Sequence, residues 1–305
     1  MRKAIRIEWL SIAYTACTVT IVFFVLGNSQ AMKTAWVEDI LSTIPQFSFL
    51  VAYLFIRRPA SHKHPYGYHR AMAVGHLVAS VALVIVGTTL AVEAITGLVL
   101  AEHPTIGTVK VLGATIWLGW LMIGVMIPIA IPPVLFGRAK MKLAAKLHNK
   151  LLFADADMSK ADWTTNVGSI VGVAGIGVGL WWADSAAALL ISMSIMWDGM
   201  KNTKAAVFDL MDERATTFDQ KHAHPLIGEI DAHLRSLRWV ADAGSRVRDE
   251  GHVFHIEAFV VPKRGKASVA QLEEAAAGCA ALDWKVQDIV IVPVSRLPLE
   301  VAGRG

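Results

Sequence analysis

Six long apolar segments dominate the first 205 residues of the chain. They cover roughly residues 7–27, 34–56, 72–99, 107–136, 153–181 and 183–201. Each segment is long enough to cross a hydrocarbon core of about 30 Å as an α-helix, which takes about 20 residues. The pattern therefore predicts a polytopic α-helical membrane protein, with six transmembrane helices in a domain over residues 1–205.

The pattern changes after residue 205, where apolar positions recur at shorter and more regular spacings. Five elements are predicted from this spacing: a helix over Ile227–Leu237, strands over Val240–Val247 and Val253–Val261, a helix over Val269–Ala281 and a strand over Val286–Val294. This order, α-β-β-α-β, is typical of a small two-layer α+β domain of the ferredoxin or metallochaperone kind. We expect a cytoplasmic domain over residues 206–305.

Composition supports a membrane location. Hydrophobic residues make up 54% of the 305 residues, charged residues only 18%, and the mean hydropathy is +0.48, which is too apolar for an ordinary soluble domain. Lys and Arg concentrate in the loops after the second and fourth segments, so the positive-inside rule predicts that both termini are cytoplasmic. We expect a bacterial inner (plasma) membrane protein in contact with lipid. The basic residues are explained by topology, and nucleic-acid binding is not predicted.

Acidic residues stand at the start of the fifth segment. Asp155, Asp157 and Asp162 precede a stretch without charge, from residue 166 to residue 182. Asp155, Met158 and Asp162 fall on one helical stripe, with Asp157 about a quarter turn away. Ionisable groups at membrane depth are costly and usually face a bundle interior or a water-filled path, which predicts an ion or proton site. The alternative for Asp155 and Asp157 is a solvated helix start.

The second segment carries a further acidic pair. Glu38 and Asp39 point about 100° apart on a helix, so only one of them can share a face with a given position on the fifth segment. Two pairs at spacing i, i+4 are available, Glu38 with Ser42 and Asp39 with Thr43. A salt bridge to Lys33 at the outer surface is an alternative role for one of the two acids, Glu38 more than Asp39.

Three short motifs resemble a known family. They are His64-Pro65-Tyr66-Gly67-Tyr68-His69-Arg70 after the second segment, Ala154-Asp155-Ala156 at the start of the fifth, and Trp181-Trp182-Ala183-Asp184 before the sixth. Together with the acidic positions and the α-β-β-α-β tail, they resemble the cation diffusion facilitator family of divalent-metal transporters. The resemblance implies a homodimeric secondary transporter, not an enzyme, that exports a divalent metal cation from the cytoplasm in exchange for protons. It implies no cofactor, because the metal is the substrate.

The resemblance also implies where the metal binds. The family places two ligands four residues apart on each of these two segments. On the fifth segment the positions fall on Met158 and Asp162, where a thioether replaces the expected imidazole. The candidate metal ligands are Asp39, Asp162, Glu38, Thr43, Ser42, Asp157, Asp155 and Met158. Such a set is rich in oxygen and favours a harder cation such as Mn²⁺ or Mg²⁺, although the choice among Zn, Mn, Co, Fe and Mg stays open.

Two questions remain open from the sequence. Histidines in the loop and tail offer further metal sites, and they are His62, His64, His69, His222, His224, His233, His252 and His255. The altered ligand set also suits a membrane-anchored sensor or scaffold of the same fold that does not transport. An intramembrane enzyme is not expected, because the segments lack a nucleophile paired with a base.

Overall fold

The computed structural model describes residues 2–103, 105–111, 114–147, 149–251 and 253–302. The chain forms two compact units. The first comprises Met1–Leu54 with Val74–Ala206, and the second comprises Phe55–Ala73 with Val207–Gly305. Residues 55–73, which the sequence places in a loop of the membrane domain, thus group with the C-terminal unit.

The first unit is mainly helical. Its helices are α1 (Arg2–Val25), α2 (Gln30–Leu41), α3 (Thr43–Ile56), α4 (Ala71–Val99), α5 (Leu118–Ile129), α6 (Ile131–Leu147), α7 (Lys150–Gly177) and α8 (Ala183–Leu210), some of which extend into the second unit. Four segments in the described chain are long and apolar enough to cross a membrane: Lys3–Val25, Gln30–Ile56, Ala71–Val99 and Leu118–Leu147. Helices α7 and α8 occupy the predicted fifth and sixth segments but carry more charge, so six crossings stay a prediction.

The predicted fourth segment, 107–136, is wrong at its start. A two-stranded antiparallel hairpin, β1 (Thr108–Val111) and β2 (Ala114–Trp117), occupies this part of the chain, with Lys110 opposite Thr115. Helix begins only at Leu118 and continues to Leu147. The hairpin is rich in Val, Ile and Thr, which favour strands, and an apolar run does not by itself distinguish a strand from a helix.

Two long helical segments are interrupted near prolines. The first breaks at Ser42, between α2 and α3, and the second at Ala130, between α5 and α6. Pro45 has no amide hydrogen for the carbonyl four residues earlier, and Pro132 and Pro133 have the same effect at the start of α6. The first interruption lies next to the acidic pair of α2.

Glycines allow close helix contacts in the first unit. A methyl group added to Gly87 of α4 would lie 2.9 Å from the amide nitrogen of Met196 in α8. The contact is reciprocal, because a methyl group on Gly199 of α8 would lie 2.8 Å from the amide nitrogen of Val84. The main chains of α4 and α8 therefore touch at two places, without side chains between them.

The second unit contains the predicted α-β-β-α-β order. Its elements are α9 (Leu226–Ser236), β3 (Val240–Asp249), β4 (Phe254–Pro262), α10 (Val269–Ala280) and β5 (Val286–Pro293). The central strand β4 pairs antiparallel with β3 and parallel with β5. Both helices and all three strands contribute buried side chains to one core, which includes Ile230, Leu234, Ile256, Ala275 and Cys279. The unit therefore has a hydrophobic core of its own.

Candidate cation-binding site

Two carboxylates are buried where α2 and α7 face each other. Glu38 of α2 is 6% exposed and Asp162 of α7 is 9% exposed, and the charges of Glu38 and Asp39 both act on Asp162. The Thr165 side chain of α7 interacts with the Glu38 carboxylate. One oxygen of each acid, Oε2 of Glu38 and Oδ1 of Asp162, is buried without a hydrogen-bond partner. Burying such an oxygen costs free energy unless a cation or a proton binds to it.

The structure distinguishes the two faces of α2. Glu38 and Ser42 are buried, whereas Asp39 and Thr43 are partly exposed. The Ser42 hydroxyl donates to the Asp39 carbonyl at 2.8 Å, and the Thr43 hydroxyl donates to the Ile40 carbonyl at 2.6 Å. The Glu38 and Ser42 pair therefore faces the protein interior, and Ser42 keeps its oxygen lone pairs available on that side.

Lys33 has a different partner from the one considered for Glu38. Its ammonium forms a salt bridge with Glu93 of α4, at a site where both side chains are exposed. Within the described residues, Glu38 has no ion pair with a lysine or arginine. Its negative charge is therefore not neutralised by the residue that the sequence offered for that role.

Met158 lies on the same face of α7 as Asp162, but apolar side chains surround it. It packs against a cluster of buried side chains from α2, α4 and α8, which are Leu41, Leu83, Leu90, Ile191 and Ile195. A thioether among aliphatic side chains serves chiefly as packing. We therefore expect the buried acids to contribute more than Met158 to a cation site.

Asp155 forms a salt bridge with a buried lysine. The Lys140 ammonium of α6 lies 2.6 Å from Asp155 Oδ2 and 3.3 Å from Glu8 Oε2 of α1, and all three side chains are fully or almost fully buried. We call these three residues the Lys140 cluster. The sequence pattern did not predict this cluster, because Glu8 is a single charge in an apolar segment and Lys140 lies in the predicted loop after the fourth segment.

Asp157 lies on a more exposed side of α7. Its carboxylate is about half exposed and lies 3.8 Å from the Lys201 ammonium of α8. Asp198, one turn before Lys201, interacts electrostatically with Asp157 and with Glu38. Asp198 was not among the predicted site residues. Its position in the predicted sixth segment was a signal for it, because an acid at membrane depth usually has a functional partner.

The histidines of the second unit occupy separate environments. His255 Nδ1 lies 2.6 Å from Asp288 Oδ2, and the His255 ring meets the Tyr66 ring edge-on. The His224 ring packs near the Phe254 ring, and His252 lies outside the described residues. In the described part of the chain, no three His, Cys, Asp or Glu side chains are grouped to hold a metal ion. This finding also applies to the acids of α2 and α7, so a cation there would need further oxygen donors such as hydroxyl groups or water.

Comparisons with known proteins agree with this architecture. The cation efflux transmembrane domain family matches residues 7–211. The Uncharacterized transporter YdbO of Bacillus subtilis (strain 168) is 26% identical over 197 residues, which is 63% of each chain. The Manganese efflux system protein MneS of the same strain is 24% identical over 190 residues, which is 61% of each chain. The match thus spans less than two thirds of these curated relatives.

The family match covers most of the chain and includes most of α1 and all of α2 to α8. Apolar helices long enough to cross a bilayer, together with this match, identify an integral membrane protein. The chain belongs to the cation diffusion facilitator family of cation efflux transporters.

Proposed function

We propose that this protein is a secondary transporter that exports a divalent metal cation from the cytoplasm in exchange for protons. The observation that carries the proposal is the pair of buried acids, Glu38 and Asp162, each with an oxygen that lacks a hydrogen-bond partner. Membership of a cation efflux family supports the direction of transport. We place both termini in the cytoplasm of a bacterial cell and the helices in its plasma membrane, following the distribution of basic loops.

The proposed ligands start from Glu38 and Asp162. Ser42 shares the buried face of Glu38 and completes the proposed protein ligands. Asp39, on the partly exposed face of α2, interacts electrostatically with Asp162 and adds negative charge beside the site. We leave Asp155 out, because its carboxylate binds Lys140. We assign no direct bond to the cation to Asp157 and Thr43, because they lie on more exposed helix faces, or to Met158, because it packs among apolar side chains.

The donor set favours a hard cation. Carboxylate and hydroxyl oxygens suit Mn²⁺ or Mg²⁺, whereas a tetrahedral zinc site normally includes imidazole or thiolate groups. One relative is named as a manganese efflux protein, which makes Mn²⁺ the first cation to test. Mn²⁺ accepts water in its coordination shell, and this compensates for a site with few protein ligands.

Proton exchange follows from the same oxygens. A carboxylate binds either a proton or a cation, so protonation of Glu38 or Asp162 opposes cation binding at that oxygen. A gradient of protons can then drive release of the cation on the side where the acids become protonated. The coupling requires no further group.

Flux measurements in proteoliposomes test the proposal. With the full-length protein and an imposed pH gradient, we expect Mn²⁺ flux that follows the gradient, and a loss of about 100-fold or more in Glu38→Gln or Asp162→Asn. Asp157→Asn is the matched control on α7, since its carboxylate is half exposed and outside the proposed ligand set. It should retain flux within about twofold, as expected for a surface substitution.

The alternative function has a distinct outcome. A sensor or scaffold that binds the cation without moving it would show saturable Mn²⁺ binding by calorimetry but no flux in proteoliposomes. The lack of a three-residue metal cluster in the described chain favours testing this alternative. A homodimer, implied by the family resemblance, is checked in the same preparation by light scattering.

A further inference from the structure

An aspartate from another helix holds the N-terminus of α2. Asp184, in the first turn of α8, is fully buried. Its Oδ2 accepts a hydrogen bond from the Gln30 amide at 2.5 Å, and its Oδ1 accepts from the Ser29 hydroxyl at 2.6 Å and the Ala31 amide at 3.3 Å. Ser29 Oγ also accepts from the Met32 amide at 3.1 Å. The first three amides of α2, which have no acceptor inside the helix, are therefore all satisfied by Asp184 and Ser29.

Helix α7 packs against α2 at the same level. A methyl group on Gly172 of α7 would lie 3.1 Å from Ala31 Cβ of α2 and 3.0 Å from Ala187 Cβ of α8. The Ser169 hydroxyl of α7 lies 3.2 Å from the Ala31 carbonyl oxygen and shares its hydrogen between this oxygen and the Thr165 carbonyl oxygen at 3.0 Å. Three helices thus meet at Ala31 with little free space, and their relative heights are fixed there.

This contact lies two turns from the candidate cation site. Along α2, Glu38 follows Ala31 by seven residues, which is about 10 Å of helix. Along α7, Thr165 precedes Ser169 by one turn, and its side chain interacts with Glu38. A shift of α2 by a single residue would move Glu38 by about 1.5 Å along the axis and 100° around it. The contact at Ala31 therefore sets which residue of α7 faces Glu38.

We propose that Asp184 is a positioning residue for cation binding, because its cap on α2 sets the height and rotation of Glu38 opposite Asp162. The inference rests on the proposed function of the buried acids. Asp184 itself does not touch the cation, since it lies about 10 Å from the site along the helix. Its charge is used by three donors at the helix start, where the positive end of the helix dipole adds to the attraction.

Asp184→Asn tests the proposal in the full-length protein. The amide keeps the shape of the side chain but has one acceptor oxygen in place of two. Hydrogen exchange should become faster at residues 30–32, which reports loss of the cap. The KM for Mn²⁺ should rise about tenfold with a smaller change in kcat, within the range of coupling between linked residues.

A double-mutant cycle separates positioning from general damage. In the Glu38→Gln background, Asp184→Asn should change the residual Mn²⁺ KM by less than about twofold, since there is no carboxylate left to position. Ser192→Ala is the matched control on α8, because this buried hydroxyl donates only to Ala188 of its own helix. It should leave hydrogen exchange at residues 30–32 and KM unchanged.

Each alternative result has a separate meaning. Equal KM effects of Asp184→Asn in both backgrounds, or no KM change despite faster exchange at residues 30–32, would overturn the positioning role. Absence of flux in the unmutated protein would instead count against the proposed function. If Asp184→Asn does not fold, Ser29→Ala removes a smaller part of the same cap, and the same results are expected at about half the free-energy effect.

Discussion

Two buried acids on α7, Asp155 and Asp162, lie seven residues apart in opposite electrostatic situations. Asp155 shares the Lys140 ammonium with Glu8. The charges of Glu38 and Asp39 act on Asp162 more strongly than the Lys140 charge does, and among the described residues Asp162 forms no salt bridge with a lysine or arginine. The same residue type on the same helix face therefore has a lysine in direct contact in one place and two acids as its strongest charged neighbours in the other.

The difference separates the acids that have a buried lysine partner from the acids that we propose as cation ligands. A buried ion pair loses stability when one partner is removed, because the remaining charge has no counterion. Acids that lack a counterion gain stability when a cation or a proton binds. Stability measurements should therefore distinguish the Lys140 cluster from the Glu38 and Asp162 pair without reference to transport.

The largest expected effect is at Lys140. Lys140→Met leaves Glu8 and Asp155 buried near each other without a cation, and we expect a loss of about 3–5 kcal/mol in the free energy of unfolding. Thermal unfolding of the purified protein in detergent measures the change. Lys142→Met, an exposed position on the same helix, is the control and should change stability by less than about 0.5 kcal/mol. Similar melting temperatures for the two variants would contradict a structural role for the Lys140 cluster.

Cation binding should stabilise only a protein that retains the second pair. At a Mn²⁺ concentration of 100 times Kd, the unmutated protein should gain about 2.7 kcal/mol. Asp155→Asn should keep this gain, measured as a rise in melting temperature, whereas Asp162→Asn should lose it. An equal rise in both variants would place the cation elsewhere.

In the absence of metal, Asp155→Asn should be less stable than Asp162→Asn. Asp155→Asn should lose about 1–3 kcal/mol, because Lys140 keeps only Glu8 as a charged partner. Asp162→Asn should change stability by less than about 1 kcal/mol or increase it, since it removes a buried charge without a counterion. Chemical denaturation in metal-free detergent buffer measures both, and a larger loss in Asp162→Asn would refute the comparison.

The smallest expected effect is at Ser42. If its hydroxyl oxygen helps to bind the cation, Ser42→Ala should raise the KM for Mn²⁺ about two- to tenfold, which is the range for one hydrogen-bond-sized interaction. Thr43→Val removes a hydroxyl from the neighbouring, partly exposed face. It should leave KM unchanged, and matching effects of the two substitutions would mean that the buried face has no special role.

The elements of the C-terminal unit were largely predictable, because apolar residues recur there at the spacing typical of a helix or of a strand. The hairpin of β1 and β2 was not, since an apolar run of Val, Ile and Thr suits a strand or a membrane helix equally. In the site, the acidic positions of α2 and α7 could be selected by their depth, but the choice of Glu38 over Asp39 required the rotation of α2. The Lys140 cluster depends on contacts among α1, α6 and α7, and such long-range pairs leave no periodic trace in a single sequence.

The glycine contacts between α4 and α8 restrict how a cation could reach Glu38. With the main chains touching at Gly87 and Gly199, sliding either helix by one residue would force a side chain into its neighbour's backbone. We therefore expect these two helices to move together as one rigid body during transport. If Glu38 binds a cation, we expect movement of helices outside the α4 and α8 pair to open the path to it.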